Sequence, residues 1–97
     1  MYSLTVTFDI FPEHREAFIQ AALKQAKNSL ANEPGCTTFN VYESAEQPNL
    51  FHFHEIYTDK AAFENVHVKT PYFAAYREGT TPFIKERTTR FWNSLDG

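Results

Sequence analysis

From Tyr2 to Ile10 the chain alternates apolar and polar side chains without a break. Tyr2, Leu4, Val6, Phe8 and Ile10 stand against Ser3, Thr5, Thr7 and Asp9. A period of two sustained this long does not suit a helix; it makes a strand with one face in a core. The polar face is rich in threonine, which tolerates another sheet lying against it. At 97 residues there is room for one modest core, so residues 1–97 are expected to form one domain. The rest of the chain must cover the apolar face of that first strand.

Pro12 suits the first turn of a helix, with Glu13 and Glu16 near its positive end. Phe18, Ala21, Ala22, Gln25, Ala26 and Ser29 follow at helical spacing, with Leu30 one turn beyond Ala26. This stripe is mostly small, so the helix can lie close on a sheet whose rings fill the space around it. Glu33-Pro34-Gly35 stops the helix, and Cys36 to Glu43 reads as a strand with Phe39 and Val41 on one side. Thr38, Asn40 and Tyr42 fall on its other side. A hairpin-length connection, Ala45 to Asn49, leads to a third strand from Leu50 to Tyr57. Phe51, Phe53, Glu55 and Tyr57 share one face of it; Leu50, His52, His54 and Ile56 share the other.

Asp59 is a good N-cap, and Ala62, Phe63, Val66 and His67 then recur on one helix face, which should be the buried one. Thr70-Pro71 restarts a helical segment that runs through Arg77 to a break at Gly79. Thr81-Pro82 begins a short turn anchored by Phe83 and Ile84, and Arg87 to Ser94 is a last strand. Strand, helix, strand, strand, helix, strand predicts an α+β fold: a four-stranded antiparallel sheet with helices on one face. The other sheet face is left bare, with histidines and rings on it, and a homodimer packed sheet against sheet would cover it.

A net charge of −3 with no basic cluster gives no footprint for nucleic acid. No long apolar run and no signal-like N-terminus is present, so no membrane partner is expected and the compartment read from the sequence is cytoplasmic. The single Cys36 rules out an internal disulfide and fits a small buried hydrophobe. Ten Phe in a chain that is 16% aromatic must be buried, line a pocket or cover a partner.

His67 has two readings. It is a core imidazole satisfied by a nearby carbonyl or hydroxyl, or it is a base facing an enclosed space. Glu55 favours the second, because a carboxylate in the row of Phe51, Phe53 and Tyr57 is costly to bury ionised without a partner. His67 could be that partner. His52 and His54 could both reach one ion, but no third ligand stands at a convincing spacing, and a surface or interface pair is the simpler reading. His14, in a first helical turn, reads as solvated.

The ordered series Glu33-Pro34-Gly35-Cys36, Phe39, Phe51, Glu55-Ile56-Tyr57, Asp59, Ala62-Phe63, His67 and Thr70-Pro71-Tyr72-Phe73 resembles the antibiotic biosynthesis monooxygenase superfamily. That resemblance implies a ferredoxin-like βαββαβ domain of the dimeric α/β-barrel type, with a pocket between sheet and helices. Such enzymes include quinol and polyketide monooxygenases that need neither metal nor flavin, so no cofactor is expected. The family's histidine and strand glutamate carry over to His67 and Glu55. Haem-degrading members pair a histidine with a helix-borne tryptophan; here the only tryptophan, Trp92, lies near the end of the last strand, which argues against haem chemistry.

The expected partners are a small aromatic or quinol substrate and dioxygen. In this reading His67 is the base, Glu55 orients its ring, and Tyr57 or Asn40 donates to a substrate oxygen. Phe51, Phe53, Phe63, Tyr72 and Phe73 line the pocket. Each has a plainer alternative: the rings as ordinary core, Tyr57 as a strand-end ring, Glu55 as a brace for the following turn. A cofactor-free isomerase of a phosphorylated sugar would use the same His67, with Lys69, Arg77, Lys85 or Arg87 holding the phosphate. A non-catalytic binding module is the reading from outside enzymology.

Overall fold

The computed structural model describes residues 1–97. Strand β1 (Tyr2–Ile10) runs into a 3-10 turn at Pro12–His14 and helix α1 (Arg15–Asn32). Strands β2 (Cys36–Glu43) and β3 (Leu50–Tyr57) follow, then a π-helical turn at Ala62–Val66 and a 3-10 turn at His67–Lys69. Helix α2 (Pro71–Thr80), another 3-10 turn and strand β4 (Ile84–Asn93) complete the chain. The strands are all antiparallel in the order β2-β3-β1-β4. This is the expected ferredoxin-like sheet, with helices on one face.

The register lays the helix-facing side chains in rows across the sheet. One row is Phe39, Glu55, Leu4 and Phe91; the next is Val41, Phe53, Val6 and Thr89; a third includes Phe51, Phe8 and Arg87. Against these rows α1 sets Phe18, Ala22 and Ala26, all buried. The small residues let α1 come close. Phe18 fills the gap with its ring 5.2 Å from Phe8 and 5.1 Å from Phe51.

Several boundaries differ from the sequence reading. Helix α2 runs through Gly79 to Thr80; glycine weakens an exposed helix but does not end it, and the turn comes at Pro82, which has no amide to donate. β4 begins at Ile84 rather than Arg87, because a register shift between Asp9 and Ile10 lets Ile10 pair with Ile84. It ends at Asn93. Leu30 is exposed, since the buried stripe of α1 ends at Ser29.

The segment that carries His67 differs most. Asp59 does cap it, accepting from the Ala62 amide at 2.8 Å. The helix then widens, and the His67 amide donates to the carbonyls of Ala62 and Phe63. A bond to the fifth residue back is a π turn, often found at functional sites. The wider turn takes Val66 off the inner face and leaves it 47% exposed, while His67 is 2% exposed. No helix is long and apolar enough to cross a membrane.

Candidate active site

His67 points from the widened turn onto the sheet. Phe63, one turn earlier, stacks beside it at 5.7 Å, and Phe73 meets its edge at 5.1 Å. On the Nδ1 side lies Glu33, the C-terminal cap of α1, whose amide is held by the Ser29 carbonyl. Its carboxylate oxygens lie 3.0 and 3.1 Å from Nδ1. Tyr72 donates its hydroxyl to the same carboxylate. A carboxylate can only accept, so Nδ1 carries the proton and Nε2 is left with its lone pair free.

Nε2 faces Glu55 Oε1 at 3.7 Å, beyond hydrogen-bond length. Tyr57, fully buried behind Glu55, donates to that same oxygen at 2.7 Å. Burial raises the Glu55 pKa to about 7, helped by Glu33 and opposed by the Tyr57 bond. Burial also lowers the His67 pKa, against the pull of Glu33 through charge and hydrogen bond. The imidazole is therefore neutral at pH 7 and usable as a base. The Tyr57 phenol, raised first by burial and then by Glu55, stays a donor.

His67 and Glu55 border a cavity of about 300 Å³. Leu4, Val6, Phe8 and Phe53 form its sheet wall, and Phe63 and Phe73 line it from the helical side. Along β4 it opens, because Arg87, Thr89 and Phe91 are exposed there, as is Arg77 of α2. Most of the wall is apolar. The volume is at the small end of ligand pockets and suits one compact planar ring system.

Of the residues expected from sequence, His67, Glu55, Phe53, Phe63 and Phe73 meet in this cavity. Asn40 does not: the alternation that buries Phe39 puts Asn40 on the bare sheet face, exposed. Phe51 is core under Phe18 rather than lining. Tyr72 lies outside, holding Glu33 and bordering a second, smaller hollow between α1 and α2. Tyr57 holds Glu55 instead of reaching the cavity. The residue that orients the imidazole is Glu33, not Glu55. Lys69 and Lys85 stand away from the cavity, whereas Arg77 and Arg87 line it, as do Gln25, Tyr76 and Thr80. Trp92 is on the opposite sheet face, its Nε1 donating to Thr5.

Residues 1–79 match the family model for antibiotic biosynthesis monooxygenases. The chain belongs to that family. An uncharacterized Synechocystis protein is 34% identical to this family member over 67 residues, which is 69% of this chain and 44% of the relative. The chain thus spans less than half of that relative's length.

Solved structures share the fold closely. A Nitrosomonas europaea protein provisionally named an antibiotic biosynthesis monooxygenase superposes with a TM-score of 0.91 at 25% identity, covering 98% of this chain and 99% of its own. A Bacteroides thetaiotaomicron protein provisionally given the same name is 28% identical with a TM-score of 0.89, over 97% and 89%. One from Caulobacter crescentus, also so named, is 22% identical with a TM-score of 0.92, over 98% and 90%, a likeness of fold. Within this family member, the β4 wall with Arg87, Thr89 and Phe91 lies beyond the matched stretch.

Proposed function

We propose that this protein is a monooxygenase that works without metal or flavin and hydroxylates a small quinol, with His67 as proton acceptor. The observation that supports this most is the imidazole itself. Its Nδ1 is tied to Glu33, and its free Nε2 is turned toward Glu55 beside an apolar, ring-lined cavity. Dioxygen in its ground state accepts electrons one at a time, and a quinol anion gives them far more readily than the neutral quinol. Taking the hydroxyl proton is therefore the main task left to the protein. A substrate oxygen about 2.8 Å from both Nε2 and Glu55 Oε1 fits across their separation, so one group removes the proton while the other steadies the oxygen. The ring supplies all the electrons: a quinol and dioxygen give a hydroxyquinone and water. The apolar wall keeps solvent away from the reactive intermediates. We further propose that two chains associate through their bare sheet faces.

The isomerase reading gains from Arg77 and Arg87, which could hold a phosphate. It loses on the wall, because a sugar's hydroxyls need partners that Leu4, Val6, Phe53, Phe63 and Phe73 lack. Oxygen uptake by the purified protein with benzo- and naphthohydroquinones, without added cofactor, separates the possibilities. The expected result is uptake above the autoxidation rate, with one dioxygen consumed per hydroxyquinone formed. Turnover of a ketose phosphate under anaerobic conditions would favour the isomerase, and neither activity would leave a binding module.

A further inference from the structure

Two buried polar groups beside the cavity lack a hydrogen-bond partner. They are Gln25 Nε2 and the Tyr76 hydroxyl, and both residues stand between the cavity and the smaller hollow beside α1 and α2, lining each. Thr80, also on the cavity wall, donates its hydroxyl to the Tyr76 carbonyl at 2.8 Å. The Gln25 side chain is 2% exposed. A buried donor left empty costs stability, so each such group calls for a reason. Both can donate, and two cations line the same cavity: Arg77, whose pKa is lowered first by burial and then by the nearby Arg87, and Arg87 itself. Arg77 sits over the Phe73 ring, 6.0 Å from its centre.

Sheet register separates Arg87 from the base. Glu55 pairs across β1 with Phe91, whereas Arg87 is four residues along the same strand, about 13 Å away. Tyr76 stands between them, its ring 6.4 Å from Phe53 in the middle row. One end of the cavity thus holds a base and a carboxyl group, and positive charge stands at its open side, with Arg87 farthest from the base.

We propose that Gln25, Tyr76, Arg77 and Arg87 form a subsite for an acidic substituent, so that the preferred substrate is an aromatic diol bearing a carboxylate or phosphate. This rests on the cavity being the substrate site. The acidic arm faces the arginines and the ring lies along Phe53, which directs a ring hydroxyl to His67. Arginine forks match the two oxygens of such a group. Their position at the open side of the cavity also draws anions in, despite the negative net charge of the chain.

The test uses ligands that cannot be oxygenated in this way. Calorimetric titration compares 2-naphthoate with 2-naphthamide, which matches it in shape but carries no charge. The acid is expected to bind at least tenfold more tightly. The preference falls in Arg77→Gln and in Arg87→Gln and vanishes in the double variant. Lys85→Gln, the same charge change outside the cavity, keeps it. All three sites are exposed, and thermal unfolding confirms that each variant folds. Equal binding of acid and amide by the wild type, or a preference that survives the double variant, overturns the subsite. Acid preference without quinol turnover keeps the subsite and removes the oxygenase; quinol turnover without acid preference does the reverse.

Discussion

Glu55 is 4% exposed and its pKa stands at about 7 against an ordinary 4.5, so the fold holds its proton more tightly than the unfolded chain does. The sign follows from that. Its cost is absent below pH 4.5, grows as the pH rises to about 7, and is constant above. His67, with a lowered pKa, works the other way, taking stability as the pH falls below its ordinary 6.5. Glu55→Gln isolates the first effect and keeps an oxygen to accept from Tyr57. The variant is expected to match the wild type near pH 4.5 and to exceed it at pH 8 by up to roughly 3 kcal/mol. Urea unfolding across that range measures the difference, and a gap that does not change with pH contradicts the assignment. At this scale the sequence was partly readable. Helix spacing turned His67 inward and strand parity put Glu55 in its row. Glu33 was hidden, since its bond to His67 crosses 34 residues and a glutamate before Pro34-Gly35 reads as an exposed helix stop. Asn40 failed on parity alone: a residue next to buried Phe39 in a strand faces the other way.

At the scale of elements, the turn that presents His67 is held from both ends. Thr70 accepts from the Phe73 amide to start α2 and donates to the His67 carbonyl at 2.9 Å. At the other end Gly35 binds the Thr58 amide through its carbonyl, and a Cβ on Gly35 would come within 2.6 Å of the Ala62 Cβ. Gly35→Ala therefore pushes on the first residue of the π turn. The expected cost is about 1–3 kcal/mol in unfolding free energy, accompanied by a shift of the His67 ring resonances in NMR. An unfolding midpoint like the wild type's, with unmoved resonances, would show that the contact has room to relax. The element order and the parities of β1, β2 and β3 were legible in the apolar pattern. The π turn was not, because a helix with one extra residue per turn changes which side chains face inward without changing the sequence signals for helix. Val66 was assigned to the wrong side for that reason.

For the whole molecule, the bare face of the sheet is the feature that the chain leaves unresolved on its own. Tyr42 and Trp92 stand about half exposed on it, and Thr7 and His52 are bonded across it at 3.1 Å. Sedimentation should give about twice the 11.3 kDa chain mass. Thr5→Arg, which sets a charge at the centre of that face opposite His54, should return the mass to that of one chain. A wild-type monomer would remove the sheet-to-sheet dimer. The catalytic claim is tested most directly on the imidazole. His67→Gln keeps an N–H for Glu33 but has no basic nitrogen, so the site loses its proton acceptor with little change of shape. Oxygen uptake with the best quinol of the panel should fall by about 10²–10⁴ in a variant whose circular dichroism matches the wild type. Turnover within twofold of the wild type would contradict a role for His67 as the base.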